Sequence, residues 1–144
     1  MPHPFPHRFS AELRVRDDAA SWLEAPPRPP ILGGNPPEFD GSAEWWSPEH
    51  LLLSALQLCF RGTFLALAAR AGLEAKSFRT RGQARLEKTS AGIVFTRIEL
   101  IASVTAPAGQ VDAVKELLAK AKKHCIISNQ LKTEPTLELD VRPA

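Results

Sequence analysis

Two sulfur atoms carry most of the chemistry available to this sequence. Among its 144 residues there are two cysteines, Cys59 and Cys125, 66 positions apart. So few cysteines exclude a disulfide scaffold; in a reducing compartment such residues serve as buried thiols, metal ligands or redox groups. The chain contains no Cys-x-x-Cys, and His50 and His124 do not fall at a zinc-ligand spacing from the cysteines. No metal and no cofactor are therefore expected, and inert core thiols or a redox pair remain. For the redox role one thiol has to ionise. A free cysteine titrates near ~8.5 and burial raises that value, so an attacking thiolate needs a cation or strong donors close by. Arg61 is two positions from Cys59 and projects from roughly the opposite side of a helix. Local charge alone favours Cys125, which follows Lys122, Lys123 and His124.

The elements that position these residues can be read from the sequence pattern. Ser47-Pro48-Glu49 predicts a helix start, with Ser47 as cap, Pro48 at the first helical position and Glu49 placed against the dipole. The helix should run to about Ala71 and stop at Gly72. It is apolar on most sides, the pattern of a membrane span or of a helix buried at the centre of a fold. Gln57 and Arg61 in mid-run favour burial in protein. Along it Leu52, Ala55, Cys59, Gly62, Ala66 and Ala69 form a stripe of mostly small side chains that another backbone could approach closely. A second helix begins near Gln110 and puts Val111, Val114, Leu118, Ala121 and Cys125 on one apolar face.

Strands account for much of the rest. Arg8 to Arg16 alternates, with Phe9, Ala11, Leu13 and Val15 on one side, which predicts a half-buried strand. Segments 75–87 and 93–105 should form a hairpin about Lys88–Gly92, with Val94, Thr96, Ile98, Leu100, Ala102 and Val104 on one face of the second strand. Thr136–Arg142 reads as a final strand. Between the first strand and the first helix, residues 26–41 are rich in proline and glycine and read as a long loop, with Ile31, Leu32 and Phe39 laying it down on the fold. The expected architecture is α+β, antiparallel strands against two helices, in one domain spanning 1–144.

Composition narrows the partners. Eighteen basic against sixteen acidic residues leave a formal charge of +2, too little for a phosphate-tracking surface, so no nucleic acid is expected. Met1 to Ser10 holds three prolines and two histidines but no apolar h-region, and the expected compartment is the cytoplasm, with no membrane partner.

The runs Pro37-Glu38-Phe39-Asp40-Gly41, Trp46-Ser47-Pro48-Glu49-His50-Leu51-Leu52 leading to Cys59-Phe60, and Ala121-Lys122-Lys123-His124-Cys125-Ile126-Ile127-Ser128-Asn129 together resemble the OsmC/Ohr family, the osmotically inducible protein C and organic hydroperoxide resistance proteins. The resemblance extends over nearly the whole chain. It implies an OsmC-like α+β fold in an intertwined homodimer, and a peroxidase that reduces organic hydroperoxides with electrons from a dithiol reductant such as a lipoyl protein. By that resemblance Cys59 matches the peroxide-attacking cysteine, Cys125 the resolving cysteine, and Glu49 a carboxylate near the reacting thiol. Glu49 precedes Cys59 by ten positions, ~15 Å along a straight helix, which suits service to the Cys59 of a second chain. Leu56, Phe60 and Phe64 are expected to line an apolar pocket for the organic tail of the substrate.

The family's pattern places an arginine in the loop before the helix. Here Glu38 stands at that position, and Arg28 is the nearest loop arginine to replace it. Two other functions fit the same residues: a non-catalytic dimer of this type that binds a small apolar ligand, and a thiol-disulfide redox sensor.

Overall fold

The structure is a computed structural model that describes residues 3–17 and 19–144, so Met1 and Pro2 of the proline- and histidine-rich start lie outside it, as does Asp18. The chain divides into two compact units, Met1–Leu51 and Leu52–Ala144.

In the first unit β1 (Glu12–Val15), β2 (Ala20–Glu24) and β3 (Ile31–Gly34) form an antiparallel sheet in the order β1-β2-β3. The predicted strand over 8–16 shortens to four residues, and its alternation buries nothing: Leu13 and Val15 are about two-thirds exposed and Phe9 is 90% exposed. Alternation reports which side chains could share a face, not whether that face is covered. The proline-rich segment is more regular than a loop, because Leu23↔Ile31 and Trp22↔Leu32 pair it to β2. Prolines 29 and 30 stop short of the pairing and so cost it no donor. A single turn of 3-10 helix, Pro37–Phe39, follows. Gly41 closes the segment, since a Cβ there would lie 1.7 Å from the Asn35 carbonyl oxygen. Ile31 and Phe39 do not pack the segment down; both stay about 40% exposed.

In the second unit β4 (Ser77–Thr89), β5 (Gly92–Ala106) and β6 (Thr136–Pro143) form a sheet in the order β4-β5-β6. β4 and β5 are the predicted hairpin, turning through Ser90 and Ala91 into Gly92 at φ 104°, a backbone conformation that favours glycine. β5 and β6 pair in parallel rather than antiparallel. The crossover between them is α2 (Val111–Lys123) followed by the short α3 (Ile126–Gln130), which carries the chain back to start β6 beside β5. The inward face of β5 is Ile98, Leu100, Ala102, Val104 and Ala106, all buried. Nearer the turn the pattern departs from strict alternation. Arg85 pairs with Arg97 but Leu86 with Phe95, so Thr96 is an extra residue, and Phe95 rather than Val94 packs on the core.

The first helix, α1 (Pro48–Ala71), ends as predicted, with Gly72 at φ 64°. It does not lie at the centre of the fold. It is long and apolar enough to span a membrane, yet only 22% of its most apolar stretch is buried. What it buries is the row Leu56, Phe60, Phe64 and Ala68, four residues apart. The small-residue stripe is mostly uncovered: Gly62, Ala66 and Ala69 are exposed and nothing lies within 4 Å of a Cβ built at Gly62. Phe78 on β4 sits 6.1 Å from the Phe60 ring and 5.3 Å from that of Phe64. One apolar cluster thus joins α1, the sheet and the buried Val114, Leu118 and Ala121 of α2.

Candidate active site

Cys59 occupies the middle of α1 and is carried by the helix's capping and packing. Ser47 is buried, and its Oγ accepts the His50 backbone N–H at 3.1 Å, satisfying one of the free donors of the first turn. The same oxygen lies 2.6 Å from His50 Nδ1. Twelve residues on from Ser47, Cys59 adjoins the buried Phe60 and is itself only half-buried, packed against the core cluster. A polar link fixes this stretch of helix to the sheet: Gln57 Nε2 donates to the Leu53 carbonyl at 3.1 Å while its Oε1 accepts from Thr80 Oγ1 at 2.9 Å. Gly82 leaves room for that side chain, since a Cβ there would come within 2.9 Å of Gln57 Nε2.

Cys125 is positioned by a break. α2 ends at Lys123, Cys125 adopts an extended conformation, and its carbonyl accepts the Asn129 N–H at 3.1 Å as α3 begins. Its side chain is completely buried within the same cluster as Val114, Leu118 and Ala121. The two cysteines, remote in sequence, are therefore neighbours, and both are free thiols. Burial pushes the Cys125 thiol up to about 11, opposed by the N–H groups of Ser128 and Ile127 and reinforced by the neighbouring Cys59 sulfur.

The expectation from local charge does not hold for Cys125. Lysines next in sequence to Cys125 do not serve it: Lys122 Nζ pairs with Glu134 Oε1 at 2.7 Å, and Lys123 and His124 are exposed at the helix end. Arg61 is also engaged elsewhere, its guanidinium 5.9 Å from the centre of the Phe78 ring. Leu56, Phe60 and Phe64, expected to line a pocket, are instead the fully buried contact of α1 with the rest of the core. The four-residue spacing that groups them is the spacing of a sheet-facing stripe.

Glu49 and Arg28 belong to the N-terminal unit. Glu49 lies in the first turn of α1, and its Oε2 is buried with no hydrogen-bond partner among the described residues, a costly arrangement for a carboxylate. Arg28 is exposed in the turn after Ala25, its Nη1 3.4 Å from the Ala25 carbonyl oxygen. Glu38 is exposed on the 3-10 turn. Another arginine packs close to the helix entrance. The Arg16 guanidinium lies 5.6 Å over the Trp45 ring and its Nε pairs with Asp17 Oδ2 at 2.7 Å. Trp45 Nε1 is buried without a hydrogen-bond partner among the described residues and fits only because position 34 is glycine, whose Cβ would fall 2.4 Å from it. Arg16 reads in the sequence as one more polar member of an alternating strand, so nothing there singles it out. An open apolar groove of about 570 Å³ lies on the same unit, lined by Leu13, Val15, Leu23, Trp46 and Leu51 among others.

The OsmC-like protein family model matches residues 41–140, a span that takes in α1 with Cys59, the hairpin, α2 and Cys125. The chain belongs to the OsmC-like family. The peroxiredoxin OsmC of Escherichia coli is 30% identical over 96 residues, 67% of each protein. Among solved structures, an OsmC-like protein of unknown function from Vibrio cholerae superposes with a TM-score of 0.81 at 21% identity, covering 93% of this chain and 99% of the other. An organic hydroperoxide resistance protein from Elizabethkingia anophelis gives 0.74 at 15% identity, covering 97% and 100%. The α+β OsmC-like fold is thereby shown for this chain.

Proposed function

We propose that this OsmC-like chain is a cysteine-based peroxidase that reduces organic hydroperoxides and works as a homodimer. The observation that carries the reading is the convergence of its two cysteines, one half-exposed and one buried. The relative named peroxiredoxin OsmC adds family-level support.

In the proposed cycle the Cys59 thiolate attacks the terminal oxygen of ROOH, the O–O bond breaks, and the alkoxide leaves as ROH on taking a proton. Cys59 becomes a sulfenic acid. The Cys125 sulfur then attacks the Cys59 sulfur, its proton leaves with the hydroxyl as water, and a Cys59–Cys125 disulfide remains. A dithiol reductant, of which a lipoyl protein is one kind, restores both thiols.

The homodimer answers two features of the single chain. Leu58 and Leu65 on α1 are 74% and 42% exposed, beside the uncovered small-residue stripe, and apolar strips of this kind mark contact surfaces. Glu49 Oε2, buried and unpartnered, needs a donor that a second copy would bring. Arg28 is the sequence-derived candidate for the cation that activates Cys59, and Arg16 is the candidate that the packing around Trp45 adds.

The test is consumption of one equivalent of cumene or tert-butyl hydroperoxide by the reduced protein. Cys59→Ser should abolish the reaction; an unchanged rate overturns the reading. Loss of rate in Arg28→Ala or Arg16→Ala decides between the two arginines. Sedimentation should give a dimer that Ala66→Glu converts to monomers, and a wild-type monomer at micromolar concentration would refute the assembly.

The apolar groove at Leu13, Val15, Leu23 and Trp46 favours a second reading, a dimer of this type that binds a small apolar ligand. That reading gains if the protein consumes no hydroperoxide and an apolar fluorophore binds with loss on Leu23→Glu. A disulfide that forms equally with hydrogen peroxide and organic hydroperoxides would instead mark a redox sensor.

A further inference from the structure

Resting on the peroxidase reading, the unequal burial of the two sulfurs bears on the reductive half of the cycle. A thiolate that opens a disulfide must reach one of its two sulfurs, form a mixed disulfide there and expel the other. Cys125 has no exposed surface. It is enclosed with Val114, Leu118 and Ala121 and with the start of α3, whose Ser128 is also buried. α3 is tied down by the Asn129 Nδ2 bond to the Lys123 carbonyl at 3.1 Å and by the Asn129 N–H to the Cys125 carbonyl. Cys59, by contrast, is only half-buried by its own chain.

We infer that the reductant enters at Cys59: the incoming thiolate bonds to the Cys59 sulfur, the Cys59–Cys125 bond breaks, and Cys125 leaves as a thiolate. The second thiol of the donor then attacks the donor's own sulfur in the mixed disulfide and releases the Cys59 thiolate. The donor departs as a disulfide, having supplied two electrons, and Cys125 regains its proton. Access and leaving-group quality oppose each other here. With its thiol pushed up to about 11, Cys125 is a poor leaving group, although the N–H groups of Ile127 and Ser128 stabilise its anion. Access decides, because entry at Cys125 first requires α3 to unwind from the core. Cys59 thus serves both half-reactions, and Cys125 never meets a substrate.

The test forms the disulfide with diamide, so that it does not depend on peroxidase activity. Glutathione is then added, the mixture is acid-quenched, and the free thiol is alkylated. Peptide mass spectrometry should find glutathione on Cys59 and the alkyl group on Cys125. Reduced Cys125→Ser, which keeps Cys59, should react with Ellman's reagent roughly 100-fold faster than Cys59→Ser, which keeps Cys125. Asn129→Ala, which loosens α3, should speed labelling of Cys125 in the Cys59→Ser background while leaving the rate of disulfide reduction within about twofold. Glutathione on Cys125, or a reduction rate that rises in step with Cys125 labelling, overturns the inference alone. Absence of any Cys59–Cys125 disulfide after diamide overturns it together with the peroxidase cycle.

Discussion

In residues 52–144 the side chains of Phe60, Phe64, Leu56, Ile98, Leu100 and Leu118 are all buried in one cluster. In the first 51 residues Ala20, Gly33, Pro36 and Ser47 are what is buried among the described positions, while Phe9, Leu13, Val15 and Trp46 stand in solvent. The second unit is held by a core; the first is held by strand pairing and by close approaches such as Gly34 to Trp45 and Gly41 to Asn35. Burying a large apolar side chain is worth about 1.5–3 kcal/mol, so the first unit forgoes most of that term and directs its apolar surface outward. Such a surface suits a contact with another molecule, whereas the second unit is built to hold two sulfurs in place.

The contrast can be attacked at its strongest point first. Phe64→Ala removes a ring in contact with Phe78 from the core and should cost about 3–5 kcal/mol by urea denaturation. A loss below ~1 kcal/mol would mean that the second unit is no better packed than the first.

Next in size is the alkaline limb of the stability curve. Cys125 keeps its proton in the folded chain up to about 11, above the ordinary cysteine value of ~8.5. Between those values the unfolded chain has lost a proton that the folded chain retains. Stability is therefore full well below pH ~8.5, falls as pH rises through the window, and levels off above it, by on the order of 3 kcal/mol. Cys125→Ala should flatten that limb, and an unchanged slope would show that the thiol is not held in the core as described.

Ser47→Ala should cost ~1 kcal/mol through the lost cap, readable as a drop in the urea midpoint; no drop would deny Ser47 a part in starting α1. Leu13→Ala should move protomer stability by less than about 0.5 kcal/mol while shifting the monomer-dimer balance towards monomer in sedimentation. A large loss in the protomer would show that β1 has a core after all.

The chain yields its elements unevenly to inspection. α1 was legible at both ends because Ser47, Pro48 and Gly72 act locally. β6 was legible because Leu137, Leu139 and Val141 alternate, but its parallel partner was not, since direction depends on the path taken by α2 and α3. β2 is only five residues long, and β3 is hidden among prolines that lie outside its paired positions. The buried face of α1 could not be chosen from the sequence: a helix apolar all round offers no contrast, so the small-residue stripe was as plausible as the row through Phe60 and Phe64. At the candidate site the two cysteines stood out by residue type, while the roles expected of Cys59, Cys125 and Glu49 came from the family resemblance alone. The raised proton affinity of Cys125 was not legible, because the lysines adjacent to it in sequence extend to Glu134 and to solvent while the sulfur faces the core.

The placement of Cys59 on α1 and Cys125 at the α2–α3 break has a mechanical corollary. A covalent tie between them would girdle the hairpin and α2 in a ring closed across a separation of 66 positions, and by chain entropy alone such a ring removes about 4 kcal/mol of freedom from the denatured ensemble. The temperature at which the protein melts would then act as a gauge of its oxidation, readable with no chromophore and no substrate.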